Sequence, residues 1–189
     1  MEPHEAKRIL EALLFVFSEP VALKRLGDIL PDMEAAQLRQ LVQALNEEYA
    51  SGQRAFQIQE VAGGYQLVTD QALAPWVCRA LQTPKPDSVS TAALETLAII
   101  AYLQPITKSE IEMIRGVDVT ASLDTLLERR FIRIAGRKES PGRPFLYGTT
   151  PEFLRHFGLK SIEALPSVNF PTVKEPVAHE QPPIAAQAD

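Results

Sequence analysis

Apolar residues recur at helical spacing in two stretches of the chain, and each stretch then switches to strand-like alternation. The first helix is expected from about Glu5 to Phe17 and its counterpart from about Thr91 to Leu103. In the counterpart, Leu94, Leu97, Ala98, Ala101 and Tyr102 follow the i, i+3, i+4, i+7, i+8 stripe of one helical face. A proline turn and a short helix come next. Leu38, Leu41, Val42, Leu45 and Tyr49 then share one face of a third helix, as do Leu123, Leu126 and Leu127 in the later stretch. Phe56 to Val61 and Tyr65 to Thr69 read as a hairpin around Gly63-Gly64. Phe131 to Ile134 and Phe145 to Thr149 read as another, around a longer loop holding Ser140-Pro141-Gly142.

The two stretches align without gaps when the chain is shifted by 85 residues. Ile9 then falls on Leu94, Ala12 on Leu97, Pro20-Val21 on Pro105-Ile106, Leu26 on Ile111 and Leu38 on Leu123. Helix starts are signalled locally. Thr107-Lys108-Ser109-Glu110 has the form of a capping box, and Thr150-Pro151 places a cap and a proline where a helix start favours them. Leu73, Trp76, Val77, Ala80 and Leu81 form one apolar stripe after the first hairpin. Three helices closed by a two-stranded hairpin, twice over, give a mainly α fold with small β-hairpins: two tandem winged-helix domains. Their expected bounds are 1–82 and 90–165, joined by a proline-containing linker at 83–89. Residues 166–189 carry five prolines and little apolar periodicity, so a disordered tail is expected there.

The first helix has more apolar positions than one core face needs. Ile9, Ala12, Leu13 and Val16 are assigned to the internal core. Leu10, Leu14 and Phe17, with Phe15 beside them, form a second stripe expected to be a self-association surface. Ile99, Ile100 and Leu103 lie off the main stripe of the counterpart helix and are expected to meet a different protein.

Composition narrows the chemistry. The 189 residues carry a net charge of −5, so a strongly basic nucleic-acid footprint is absent. Residues 1–82 hold 7 basic and 11 acidic side chains, and residues 83–165 hold 11 and 10. In the third helices, Arg39 faces Glu34, Glu47 and Glu48, while Asp118, Asp124 and Glu128 precede Arg129 and Arg130. Backbone phosphates would be repelled by both. Arg137, Lys138 and Arg143 on the second wing form the one candidate phosphate-contacting cluster, so direct DNA contact is expected to be weak. No His or Cys stands at metal-ligand spacing and no nucleophile-base pair is visible, so no cofactor, metal or catalytic residue is expected. A single cysteine, Cys78, and no apolar run long enough to cross a bilayer point to a cytoplasmic protein without disulfides.

Several motifs resemble those of the bacterial segregation and condensation protein B family. Ile9-Leu10-Glu11-Ala12-Leu13-Leu14-Phe15 with Glu19-Pro20 resembles its opening. Glu95 to Tyr102, Gln104-Pro105-Ile106-Thr107, Glu110-Ile111 and Ile114-Arg115-Gly116-Val117 resemble its central motif. Gly136-Arg137-Lys138, Pro141-Gly142-Arg143-Pro144 and Leu146 to Thr150 resemble its wing signature, and Phe153-Leu154 with Phe157-Gly158-Leu159 closes the match. The resemblance covers about residues 5–166. It implies a non-enzymatic subunit of the bacterial condensin: a homodimer that binds the kleisin, segregation and condensation protein A, and through it the structural-maintenance-of-chromosomes ATPase. Dimerisation would fall mainly to the first unit, and kleisin contact largely to the second. A tandem winged-helix transcription regulator, using the arginine-rich second wing, is the alternative.

Overall fold

The computed structural model describes residues 2–81 and 89–168. The expected linker residues 83–88 and the tail from residue 169 onward lie outside the described residues; Val89 packs against the second core.

The first unit opens with α1 (Pro3–Val16) and continues with the short strand β1 (Val21–Ala22), α2 (Leu23–Ile29) and α3 (Ala35–Ser51). The wing strands β2 (Phe56–Val61) and β3 (Gly64–Thr69) follow, and then α4 (Ala74–Ala80). The second unit repeats the order: α5 (Thr91–Leu103), β4 (Ile106–Thr107), α6 (Lys108–Arg115), α7 (Thr120–Glu128), β5 (Ile132–Arg137), β6 (Phe145–Thr149) and α8 (Pro151–His156). Helix, strand, helix, helix and hairpin is the winged-helix order, and it occurs twice. In each unit the chain after the first helix adds a short antiparallel strand to the hairpin. The sheets are therefore three-stranded, ordered β1-β3-β2 and β4-β6-β5. Val21 pairs with Tyr65, and Ile106 with Tyr147. These short strands sit where the sequence suggested only a proline turn.

The local signals work as their chemistry requires. In α6, Thr107 and Glu110 form the reciprocal box, with the Thr107 amide donating to Glu110 Oε2 at 2.9 Å. Thr150 caps α8 by accepting from the Phe153 amide. A box not anticipated from the sequence starts α3, where the Gln37 side chain accepts from the Glu34 amide at 2.8 Å. The first wing turns at Ala62-Gly63 rather than Gly63-Gly64. Gly64 already belongs to β3, and a Cβ there would lie 2.8 Å from the Val21 carbonyl carbon. The absent side chain is what lets β1 close onto β3.

Each unit has its own core. Leu10, Leu14, Val21, Leu26, Leu38, Leu45 and Tyr49 are among the buried residues of the first; Leu97, Ile100, Ile106, Ile111, Leu123, Leu126 and Phe153 are among those of the second. Each fully buried leucine contributes about 2 kcal/mol of transfer free energy, which makes these clusters the main source of stability.

The expected division of α1 holds for Ile9 and Leu13, which pack against the core, and for Phe15, which is exposed. It fails elsewhere: Leu10, Leu14 and Phe17 turn inward, while Ala12 and Val16 face outward. Leu10 and Leu14, assigned above to self-association, are 0% and 1% exposed in the unit's own core, and Phe17 packs against that core. Val16, assigned to the core, is 76% exposed beside Phe15 at 78%. The cause is a spacing difference. Four residues lie between the end of α1 and the start of β1, but two lie between α5 and β4. The first helices therefore correspond at a shift of 87, not the 85 that holds for β1 and β4. Ala6, Leu10, Leu13 and Leu14 then match Ala93, Leu97, Ile100 and Ala101, all wholly or partly buried.

In α5, Ile99 and Ile100 are buried (6% and 0% exposed) and so are not open to a partner, whereas Leu103 stands at the surface. The apolar stripe of α4 meets no core: Trp76 and Leu81 are exposed, and no residue of the helix is buried.

Candidate functional site

Among the described residues, no group of three or more His, Cys, Asp or Glu is placed to hold a metal ion, and no buried side-chain nitrogen or oxygen lacks a hydrogen-bond partner. No helix of the described residues is long and apolar enough to cross a membrane. The features that stand out are apolar surfaces.

On the first unit, Ala12, Phe15 and Val16 form the outer face of α1. They follow the i, i+3, i+4 rule, so they make one continuous stripe. Trp76, on α4, carries the Arg79 guanidinium over its ring at 5.1 Å. Isolated exposed apolar residues are ordinary, but aromatic side chains gathered on exposed helix faces mark interaction surfaces.

On the second unit, α5 and α8 flank an apolar groove of about 280 Å³ lined by Leu94, Leu97, Ala98, Phe153, Phe157 and Leu159, among others. Phe157 is held by aromatic contacts, with its ring centroid 4.9 Å from that of Phe153 and 6.3 Å from that of Phe131. Leu94 and Phe157 are exposed along this groove, as are Ala98 and Pro166, and Leu103 is exposed at the end of α5.

The motif residues between these surfaces serve as internal ties. Arg115, at the end of α6, donates to the Ala92 carbonyl and to Thr96 Oγ1, both at 2.7 Å, and pairs with Glu95 at 2.8 Å. Thr96 is fully buried; its hydroxyl donates to the Ala92 carbonyl at 2.9 Å and accepts from the guanidinium, so both its donor and its acceptor are used. Gly116 then ends the helix in the left-handed region at φ 71°. Gln104 accepts from the Thr149 amide at 2.7 Å and returns a bond to Thr149 Oγ1 at 3.0 Å, fixing the end of α5 to β6. The sequence spacing did not reveal these cross-chain locks.

The second wing uses much of its positive charge on itself. Arg137 lies over the Phe145 ring at 4.2 Å and donates to the Arg143 carbonyl at 3.3 Å. Lys138 donates to Glu110 Oε1 at 2.5 Å. That bond, with the Thr107 cap, holds the Glu110 carboxyl down to about 2. Of the three basic residues of the candidate phosphate-contacting cluster, Arg137 and Lys138 thus have partners within the chain, and Arg143 meets Arg137 through its backbone carbonyl.

Residues 8–168 match the profile of the family described as segregation and condensation complex subunit ScpB. The chain belongs to that family. The segregation and condensation protein B of Symbiobacterium thermophilum is 50% identical over 169 residues, covering 89% of this chain and 76% of the relative. That of Moorella thermoacetica is 50% identical over 157 residues, covering 83% and 80%. Among solved structures, a crystallised dimer of an ScpB N-terminal domain complexed with an ScpA peptide is 25% identical; it covers 43% of this chain and 94% of the solved one, with a TM-score of 0.38. Family membership fits a molecule whose prominent surfaces are apolar helix faces.

Proposed function

We propose that this ScpB-family chain is a non-catalytic cytoplasmic adaptor of the bacterial condensin: a homodimer that binds the kleisin ScpA and reaches the structural-maintenance-of-chromosomes ATPase through it. Residues 1–82 form the self-association domain and residues 90–165 the kleisin-contacting domain. The observation that carries the reading is the apolar face left outside each core. Phe15, Val16 and Ala12 on α1, with Trp76 on α4, supply the dimer surface. Leu94, Leu103 and Phe157 beside the α5–α8 groove supply the kleisin surface. A few buried anchors, aromatic ones such as Trp above all, carry most of the binding energy at a protein interface, and the apolar residues around them exclude water.

DNA binding through the second wing is the weaker reading. The third helices present acidic residues, and Lys138 and Arg137 are engaged within the wing.

Calorimetric titration of purified kleisin into the full chain tests the assignment. Wild type binds, Leu94→Glu with Phe157→Glu weakens binding at least tenfold, and Arg137→Ala with Arg143→Ala leaves it unchanged. Equal kleisin affinity in the groove variant and wild type would remove the groove from the account.

A further inference from the structure

The turn of the first wing does not end in solvent. Ala62 and Gly63, its two central residues, have φ values of 50° and 73°. Positive φ at both positions is the type I′ turn, and its two central amides point away from the hairpin. The Ala62 amide donates to the Leu159 carbonyl and the Gly63 amide to the Lys160 carbonyl, each at 2.9 Å. Both acceptors belong to the second unit, just beyond α8.

Those acceptors are firmly placed. Gly158 turns the chain at φ 65°, Leu159 packs against the second core, and its amide returns to the Leu154 carbonyl at 2.8 Å. Two further contacts come from the same end of the first unit: Arg155 meets Glu19 at 3.5 Å, and Gln59 Nε2 lies 3.6 Å from where a Gly158 side chain would begin. The position of Ala62 also bears on the point. A left-handed alanine is disfavoured, and such a residue persists where surrounding structure holds it. Here the hairpin does so together with the bond that the Ala62 amide donates to the Leu159 carbonyl of the second unit.

We infer that the first wing is an intramolecular latch: its turn docks main chain to main chain on the segment after α8 and sets the angle between the two winged helices. The wing that such domains often extend toward a ligand is thereby spent inside the molecule, and opening this contact is the hinge by which the two units change orientation. The inference stands independently of the kleisin reading.

Amide hydrogen exchange and nitrogen-15 relaxation of the full chain test it. In wild type, the Ala62 and Gly63 amides exchange at least about tenfold more slowly than free turn amides, and both units share one rotational correlation time. Gly158→Val, which cannot easily adopt φ 65°, returns both amides to within about threefold of the free rate. Gly158→Asn, which tolerates that region, keeps the protection. Retained protection of the Leu97 and Ile100 amides shows that the valine variant still folds. If it does not fold, the wild-type relaxation alone decides. Free exchange of the turn amides in wild type, two independent correlation times, or undiminished protection in a folded Gly158→Val chain would each overturn the latch.

Discussion

Replacing Leu10 with alanine and, separately, Phe15 with serine distinguishes the two faces of α1. Leu10 is fully buried among Ala6, Leu14, Leu26 and Leu38, so its truncation leaves a cavity within that cluster. A buried leucine-to-alanine change costs about 2–5 kcal/mol, through lost transfer free energy and the cavity itself. Taking about 3 kcal/mol and a urea slope near 1–2 kcal/mol/M, the midpoint of the first unit falls by roughly 1.5–3 M. Phe15 is 78% exposed, so its removal changes the stability of the isolated fold by less than about 0.5 kcal/mol. If Phe15 is buried between two protomers, Phe15→Ser instead removes the dependence of apparent stability on protein concentration. The assay is urea unfolding followed by circular dichroism at several protein concentrations. Leu10→Ala lowers the midpoint at every concentration, whereas Phe15→Ser lowers it only where wild type is dimeric. A Leu10→Ala chain that unfolds like wild type but no longer self-associates would refute this division of the helix and restore the opposite one.

Two further outcomes follow from local geometry. Gly64→Ala puts a Cβ 2.8 Å from the backbone of Val21 and should destabilise the first unit by about 2 kcal/mol, read as a lower urea midpoint; unchanged stability would contradict the close β1–β3 approach. Glu110 has a folded pKa depressed to about 2 by Lys138 and the Thr107 cap. The stability it contributes is therefore present above its ordinary pKa near 4.3 and is lost as pH falls from there toward 2. Glu110 is partly exposed, so solvent screening holds the effect to about 1 kcal/mol, and Glu110→Gln should flatten this acid limb in a pH series of melting curves.

The legible parts of the fold were those whose chemistry is local. The capping box at Thr107 and Glu110, the cap at Thr150 and the stripe through Leu38, Leu41 and Leu45 each announce an element within one or two turns, and the structure contains them. The repeat was visible because β1 and β4, and the helices after them, keep one register. The same repeat misled across α1, because a two-residue difference in one loop rotates a helix by about 200° at 100° per residue. Leu10 and Phe15 are both apolar, so composition could not show which of them the core takes. The locks made by Arg115 and Gln104 join residues that only folding brings together, at sequence separations of 19 and 45. The Arg137–Lys138 pair showed its charge in the sequence, but not the Phe145 ring or the Glu110 carboxylate that engage it. The exposure of α4 was equally hidden, since a stripe from Leu73 to Leu81 has the same spacing whether it faces a core or a partner.

The central claim is that apolar faces outside the two cores make this chain a dimeric adaptor for a kleisin. Light scattering coupled to size-exclusion chromatography, at moderate salt with and without purified kleisin, tests it most directly. The account predicts about twice the 20.9 kDa chain mass alone, a stable heavier species with kleisin, and a monomer for Phe15→Ser with Val16→Ser. A monomeric wild type, or one whose elution ignores kleisin at micromolar concentrations, would contradict it.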